Sequence, residues 1–155
     1  MNDVIWLEEN KSALMKAIAA VRKMLEQHAA DGSGKLRENG TRNASHRTVF
    51  PDSATANGKR SAPFTLDALC TAFGLSSFER GLLLLCAGME LDGGFAACCA
   101  ASLAGRPYPT FGLALAALPD AHWSALLPSA PLRRWRLIEV GPGELLTMSP
   151  LRIDE

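Results

Sequence analysis

FTLDALCTAFGLSSFERGLLLLCAGMEL, residues 64–91, decides the fold, because it reads as two helices joined by a very short corner. Thr65 is the expected N-cap of the first helix, its hydroxyl taking an orphan backbone N–H, with Asp67 suited to the positive end of the helix dipole. Leu66, Leu69, Cys70 and Phe73 follow at helical spacing, and Gly74 supplies a left-handed stop. Ser76-Ser77-Phe78-Glu79 then matches the capping box, in which the serine hydroxyl and the glutamate carboxylate satisfy each other's backbone donors. A second helix therefore starts within about two residues of the first, which forces a sharp angle between them. Phe78, Leu82, Leu85 and Met89 lie on one face of it, and Leu83, Leu84 and Cys86 widen that face until little is left for water. This predicts a core helix.

Downstream, Asp92-Gly93-Gly94 breaks the chain and Phe95 to Leu103 is an Ala/Cys-rich stretch able to pack closely. Gly105-Arg106-Pro107-Tyr108-Pro109 is a loop. Thr110 is an expected cap for a helix bearing Phe111, Leu115 and Leu118, and Asp120 for another carrying Trp123, Leu126 and Leu127. Trp135 to Val140 and Glu144 to Met148 read as strands around Gly141-Pro142-Gly143, whose residues supply turn dihedrals. Helices followed by a two-stranded ribbon form the winged-helix arrangement, a mainly α fold with a small β-hairpin. Expected bounds are helices at about 65–74, 76–91, 94–104, 110–118 and 120–127, with wing strands at about 135–140 and 144–149.

Upstream of Phe64 the chain divides by charge. Residues 1–28 carry four Lys/Arg and four Asp/Glu, residues 29–63 six and three, and residues 64–155 six and nine. The reading is a neutral amphipathic helix, a basic disordered linker and an acidic winged-helix domain. In the helix, Val4, Leu7, Leu14, Ile18, Val21 and Leu25 alternate by three and four, with Lys11 interrupting the seam. Such a seam suits packing on its own domain or pairing with another protomer. Within the linker no apolar period survives between His28 and Pro63. Gly32-Ser33-Gly34-Lys35 imitates the end of a phosphate-binding loop, but Ala29 stands where its first glycine belongs and Leu36 where its Ser/Thr belongs, and no strand precedes it. Nucleotide binding is not expected there.

The chemistry-bearing residues point away from catalysis. His28, His46 and His122 are scattered, so neither a metal triad nor a Ser-His-Asp set follows from spacing. Glu90, Asp92 and Asp120 are accounted for by caps and helix ends. Cys70, Cys86, Cys98 and Cys99 show no CxxC spacing and read as buried small hydrophobes in a reducing compartment. The longest apolar run, near Leu82 to Met89, is too short for a bilayer, and the acidic Met1 region lacks the signature of a signal peptide. A cytoplasmic, non-enzymatic protein with no cofactor and no metal is expected.

Arg133-Arg134-Trp135-Arg136 at the wing invites a DNA-binding reading. Affinity for a duplex comes largely from neutralising phosphates, however, and this domain is net acidic while its second helix offers only Arg80. Protein docking is the better expectation, through Arg133, Arg134, Trp135 and Arg136 and through the stripe Leu7, Leu14, Ile18 and Leu25. The Arg cluster also suits ion pairs with Glu139 and Glu144.

LCTAFGLSSFERGLLLLCAGMELD (residues 69–92), RPYPTFGLALAALPDAHWSALLPSAPLRRWRLIEV (residues 106–140) and the closing PLRIDE strongly resemble the N-terminal winged-helix region of bacterial AAA+ ATPases, particularly those encoded with extracellular contractile injection systems. The resemblance covers Pro63 to Glu155. It implies a region that precedes an ATPase module assisting assembly, loading or remodelling of a phage-tail-like particle, with oligomerisation through that parent. No Walker A, Walker B or arginine-finger context occurs in these residues. A fragment, a truncated frame or a stand-alone copy are the three expectations that follow. The alternatives to an ATPase adaptor are a small winged-helix DNA-binding regulator and a scaffold self-associating through the N-terminal helix.

Overall fold

The structure is a computed structural model that describes residues 2–34 and 64–154. Helix α1 (Asn2–Gly34) is followed by α2 (Thr65–Phe73), α3 (Ser77–Leu91), α4 (Phe95–Ser102) and α5 (Phe111–Ala117). A 3₁₀ turn (Trp123–Leu126) and the single-turn α6 (Pro131–Arg134) lead into strand β1 (Ile138–Val140). A second 3₁₀ turn (Leu146–Met148) precedes strand β2 (Leu151–Ile153), which pairs antiparallel with β1. The helix-and-ribbon order expected from the sequence is the observed one.

The corner between α2 and α3 forms as its residues dictate. Gly74 adopts φ 66° and its N–H returns to Cys70 and Thr71 carbonyls, a left-handed stop that costs glycine little. Ser76 Oγ accepts from Glu79 N–H at 3.2 Å while Glu79 Oε2 accepts from Ser76 N–H at 2.9 Å, completing the capping box. Thr110 caps α5 by accepting from Leu113 N–H at 3.1 Å.

Burial centres on α3. Phe78, Leu82, Leu84, Leu85 and Cys86 are fully enclosed, with Phe95 and Cys99 of α4 and Phe111 and Leu113 of α5 against them. Gly88 is required at the α3–α4 contact, because a Cβ there would overlap the Phe95 ring. Helix α1 lies across α3 and α4 and adds Ile18, Val21, Met24 and Leu25 to the same core. The N-terminal helix is thus part of the domain, and it runs six residues past His28 into what reads as linker. Residues 35–63, the rest of the expected linker, lie outside the described residues, as does Lys35 of the imitation phosphate loop. Gly32 to Gly34 belong to α1.

Four local expectations are corrected. Thr65 does not cap α2; Phe64 occupies the N-cap, and Asn10 of α1 accepts from Thr65 N–H at 2.7 Å and from its hydroxyl at 3.0 Å. The orphan donor is met across 55 positions of chain, which no local pattern announces. Asp120 caps nothing: its φ is 54°, and Pro119 and Pro128 leave room for one 3₁₀ turn rather than a helix over 120–127. Trp135 to Leu137 are not strand either, since Pro131 opens α6 and Arg136 leaves it in the left-handed region at φ 53°.

The second wing strand is Leu151–Ile153, not 144–149. Glu144 to Met148 has adjacent Leu145 and Leu146 where a half-buried strand needs alternation, and the Ser149 N–H and hydroxyl both fold back on Leu145 C=O. Leu151-Arg152-Ile153 does alternate. Leu151 is buried opposite Val140, Arg152 faces Glu139, and Ile153 faces Ile138. Gly141 N–H to Pro150 C=O (2.8 Å) closes the long wing loop.

Candidate functional site

Arg133, Arg134, Trp135 and Arg136 come together, but on α6 and its exit rather than on the wing itself. Arg133 donates through Nη1 to Leu126 C=O at 2.6 Å, so it fastens α6 to the preceding turn. The Arg134 guanidinium stands 5.2 Å from the Trp135 ring centroid, within cation–π range. Arg136 Nε pairs with Asp154 at 3.0 Å, tying the exit of α6 to the end of β2. The expected pairing of this cluster with Glu139 and Glu144 is corrected: Glu139 takes Arg152, at 2.7 Å from Nη2 and 2.8 Å from Nε, because the strand register sets them opposite. Trp135 is 51% exposed and packs one edge on Phe73 at the end of α2, with 5.7 Å between ring centroids. Arg134, Trp135 and Arg136 are therefore the outward-facing members of the cluster, Arg136 with its charge already paired to Asp154.

A helix-turn-helix reads DNA with the exposed face of its second helix, and α3 has little such face. Residues 81–86 are buried without a break, along with Phe78, Glu79 and Gly88. Arg80 Nη2 is engaged by Asp67 Oδ1 at 2.9 Å, a bond that braces α3 against α2. Arg22 of α1 is likewise structural. Arg22 bridges Glu26 (3.0 Å) and Asp92 (3.1 Å), spreading its guanidinium over Gly94, where any Cβ would meet it. The Gly94 N–H and then Arg22 hold the Asp92 carboxyl below its usual range.

The expected α1 stripe is divided. Ile18 and Leu25 are buried in the chain's own core, so they present no surface to a partner. Leu14 is half-buried at its edge. Leu7 is 61% exposed and Val4 69% exposed. Between this open half of α1 and α2 lies a groove of about 920 Å³, whose walls include Leu7, Leu14, Phe64, Leu66 and Leu69. Sequence reading missed it, although the amphipathic stripe of α2 is a signal for it: α2 has an apolar face yet no buried residue.

No reactive centre is assembled from the described thiols. Burial pushes Cys86 up to about 12 and Cys99 up to about 11, and desolvation also raises Cys70 and Cys98. Thiols with raised values are poor nucleophiles near neutral pH. Among the described residues no three His, Cys, Asp or Glu side chains are grouped as metal ligands. His122 is hydrogen-bonded at both ring nitrogens, to Ser76 (2.8 Å) and Ser124 (2.7 Å), and stands edge-on to Phe78. That arrangement staples the 3₁₀ turn to the start of α3. No described helix is long and apolar enough to cross a membrane.

Neither the curated proteins nor the solved structures provide a match to this chain. A family model described as a winged helix domain, variant, matches residues 6–155, and so takes in α1 as well as the helices and ribbon. With that match over nearly all of its length, the chain belongs to the variant winged-helix domain family.

Proposed function

We propose that this chain is a non-catalytic, cytoplasmic docking module of an AAA+ ATPase, one that remodels or helps assemble a contractile injection system. Membership of the winged-helix family leaves both docking and DNA binding open. The observation that carries the choice is the burial of α3, because a helix enclosed at Phe78, Glu79 and every residue from 81 to 86 has little face left for a major groove, and its Arg80 is held by Asp67. The acidic balance of residues 64–155 adds to it, since a duplex would be met by net repulsion. Attachment to an ATPase is supported by the resemblance of residues 69–92 and 106–140 to the region that precedes such modules. Arg134 and Trp135 are the docking residues of choice, an exposed cation beside an exposed aromatic being a frequent hot-spot pairing.

Two measurements test this. The frame following Glu155 and its neighbours should encode a GxxxxGK[ST] loop between an apolar strand and a helix, and the ATPase so encoded should bind this chain with affinity lowered about tenfold or more by Trp135→Ala. Duplex DNA titrated at low salt should give no saturable binding. A steep, salt-sensitive duplex isotherm that depends on Arg134 would overturn the docking reading in favour of a DNA-binding regulator.

A further inference from the structure

Residues 64–155 carry six Lys/Arg against nine Asp/Glu, yet three of those six are Arg133, Arg134 and Arg136. From Ala121 to Ile138 no Asp or Glu accompanies them. The other positions of the domain hold three cations against nine carboxylates, so the exit of α6 is a basic spot on an otherwise acidic domain. Its three guanidiniums are not equivalent. Arg136 pairs with Asp154, and Arg133 is drawn in to Leu126 C=O. Arg134 lies over the half-exposed Trp135 ring and, among the described residues, makes no ion pair.

Stacking leaves Arg134 able to do more. A cation–π contact is an attraction to the ring quadrupole, and it leaves the N–H fork of the guanidinium able to take a carboxylate in a bidentate pair. The surroundings are apolar. Trp135 touches Phe73 at the end of α2, while His122, held on Ser76 Oγ at 2.8 Å, brings the exposed Trp123 to the same α2–α3 corner. Phe73 and Ser76 are at most about 11 Å apart, the reach of three residues.

We propose that this corner takes a short acidic and apolar segment of a partner protein, in which an Asp or Glu pairs with Arg134 and a large apolar side chain beside it lies on Trp135. Charge selects this occupant. A carboxylate complements the basic spot, and a short segment meets that spot alone. A duplex carries a phosphate charge about every 1.7 Å of its axis, so most of its charges would fall on the acidic remainder of the domain. The inference rests on the docking reading above and not on the attachment to an ATPase.

Random peptides displayed on phage, panned on the immobilised full chain and counter-selected on Trp135→Ala, should become enriched in Asp or Glu next to Leu, Phe or Trp. For a synthetic copy of the most enriched peptide, replacing its acidic side chain by the matching amide should weaken binding at least about threefold, as should Arg134→Gln in the chain. The two changes together should cost little more than either alone, because they remove one and the same pair. Arg134→Glu should prefer the peptide with Lys in the acidic position. Both residues are exposed, so the variants should keep the helix content and unfolding midpoint of the parent chain. Enriched peptides that are neutral or basic, or losses that simply add, overturn the carboxylate and leave the docking reading standing. Failure to enrich any peptide that tells the parent chain from Trp135→Ala overturns both. A duplex that displaces the peptide with a steep salt dependence gives the corner to nucleic acid, and a dimer broken by Arg134→Glu gives it to a second copy; either result overturns the proposal.

Discussion

The two halves of α1 carry the same three-and-four spacing of apolar residues and meet opposite fates. From Ile18 to Leu25 the stripe is sealed against α3 and α4, while from Val4 to Leu7 the same stripe faces solvent. The difference lies in what is opposite. Across from the C-terminal half stand Phe95, Cys99 and the leucines of α3; among the described residues, what stands across from the N-terminal half is the nine-residue α2, whose Leu66 and Leu69 are only partly buried. Periodicity specifies a face, and the remainder of the fold specifies whether that face is a core or an opening.

The contrast can be broken most directly by paired truncations. Leu25→Ala should cost about 2–5 kcal/mol of stability, as a fully buried leucine that leaves a cavity, whereas Leu7→Ala should change stability by less than about 0.5 kcal/mol. Urea midpoints at dilute protein, where self-association does not contribute, would measure both. Comparable losses at the two positions would mean that the open half is packed after all.

A smaller effect sharpens the boundary between the halves. Asn10→Ala should cost about 1 kcal/mol, because α2 loses the acceptor for its first N–H. Amide exchange should quicken across Thr65–Phe73 and stay slow across Ile18–Leu25, since the cap serves α2 and not the core. Uniform quickening would join α2 to the same cooperative unit as α3.

The least effect concerns the pin that holds the packed half. Asp92 has a depressed value in the folded chain, first through Gly94 N–H and then through Arg22, so its contribution is present above its ordinary value of 3.8 and is lost as pH falls through the lower folded value. Arg22 is shifted upward, so it remains charged throughout that range. The melting temperature of Asp92→Asn should therefore lie slightly below that of the parent chain at neutral pH and converge with it in acid. A gap that persists unchanged at the acid end would assign the effect to the carboxamide geometry instead of the charge.

Much of this was legible from local chemistry. The Ser76–Glu79 box, the Gly74 stop and the Thr110 cap are satisfied by residues within four positions, and each stands where the sequence puts it. The burial of α3 followed from its unbroken leucines. The wing was misread because Glu144–Met148 has strand-forming composition without strand alternation, and the alternating Leu151-Arg152-Ile153 is only three residues long. The Arg cluster is contiguous in the sequence, but its partners are not legible there, because Asp154 and Leu126 reach it through the fold.

The sequence by itself determined the helix-corner-helix, the core character of α3, the acidic balance and the presence of a closing ribbon, though not its second strand. Each of these is written in spacings that a helix or strand reads within a few residues. The tertiary structure alone decided that α1 belongs to the core, that Asn10 caps α2, that Ile18 and Leu25 turn inward while Leu7 stays out, and that a groove opens between α1 and α2. These depend on contacts between residues tens of positions apart, where the free energy of burial is set by which surfaces the chain can bring together and not by the pattern along it.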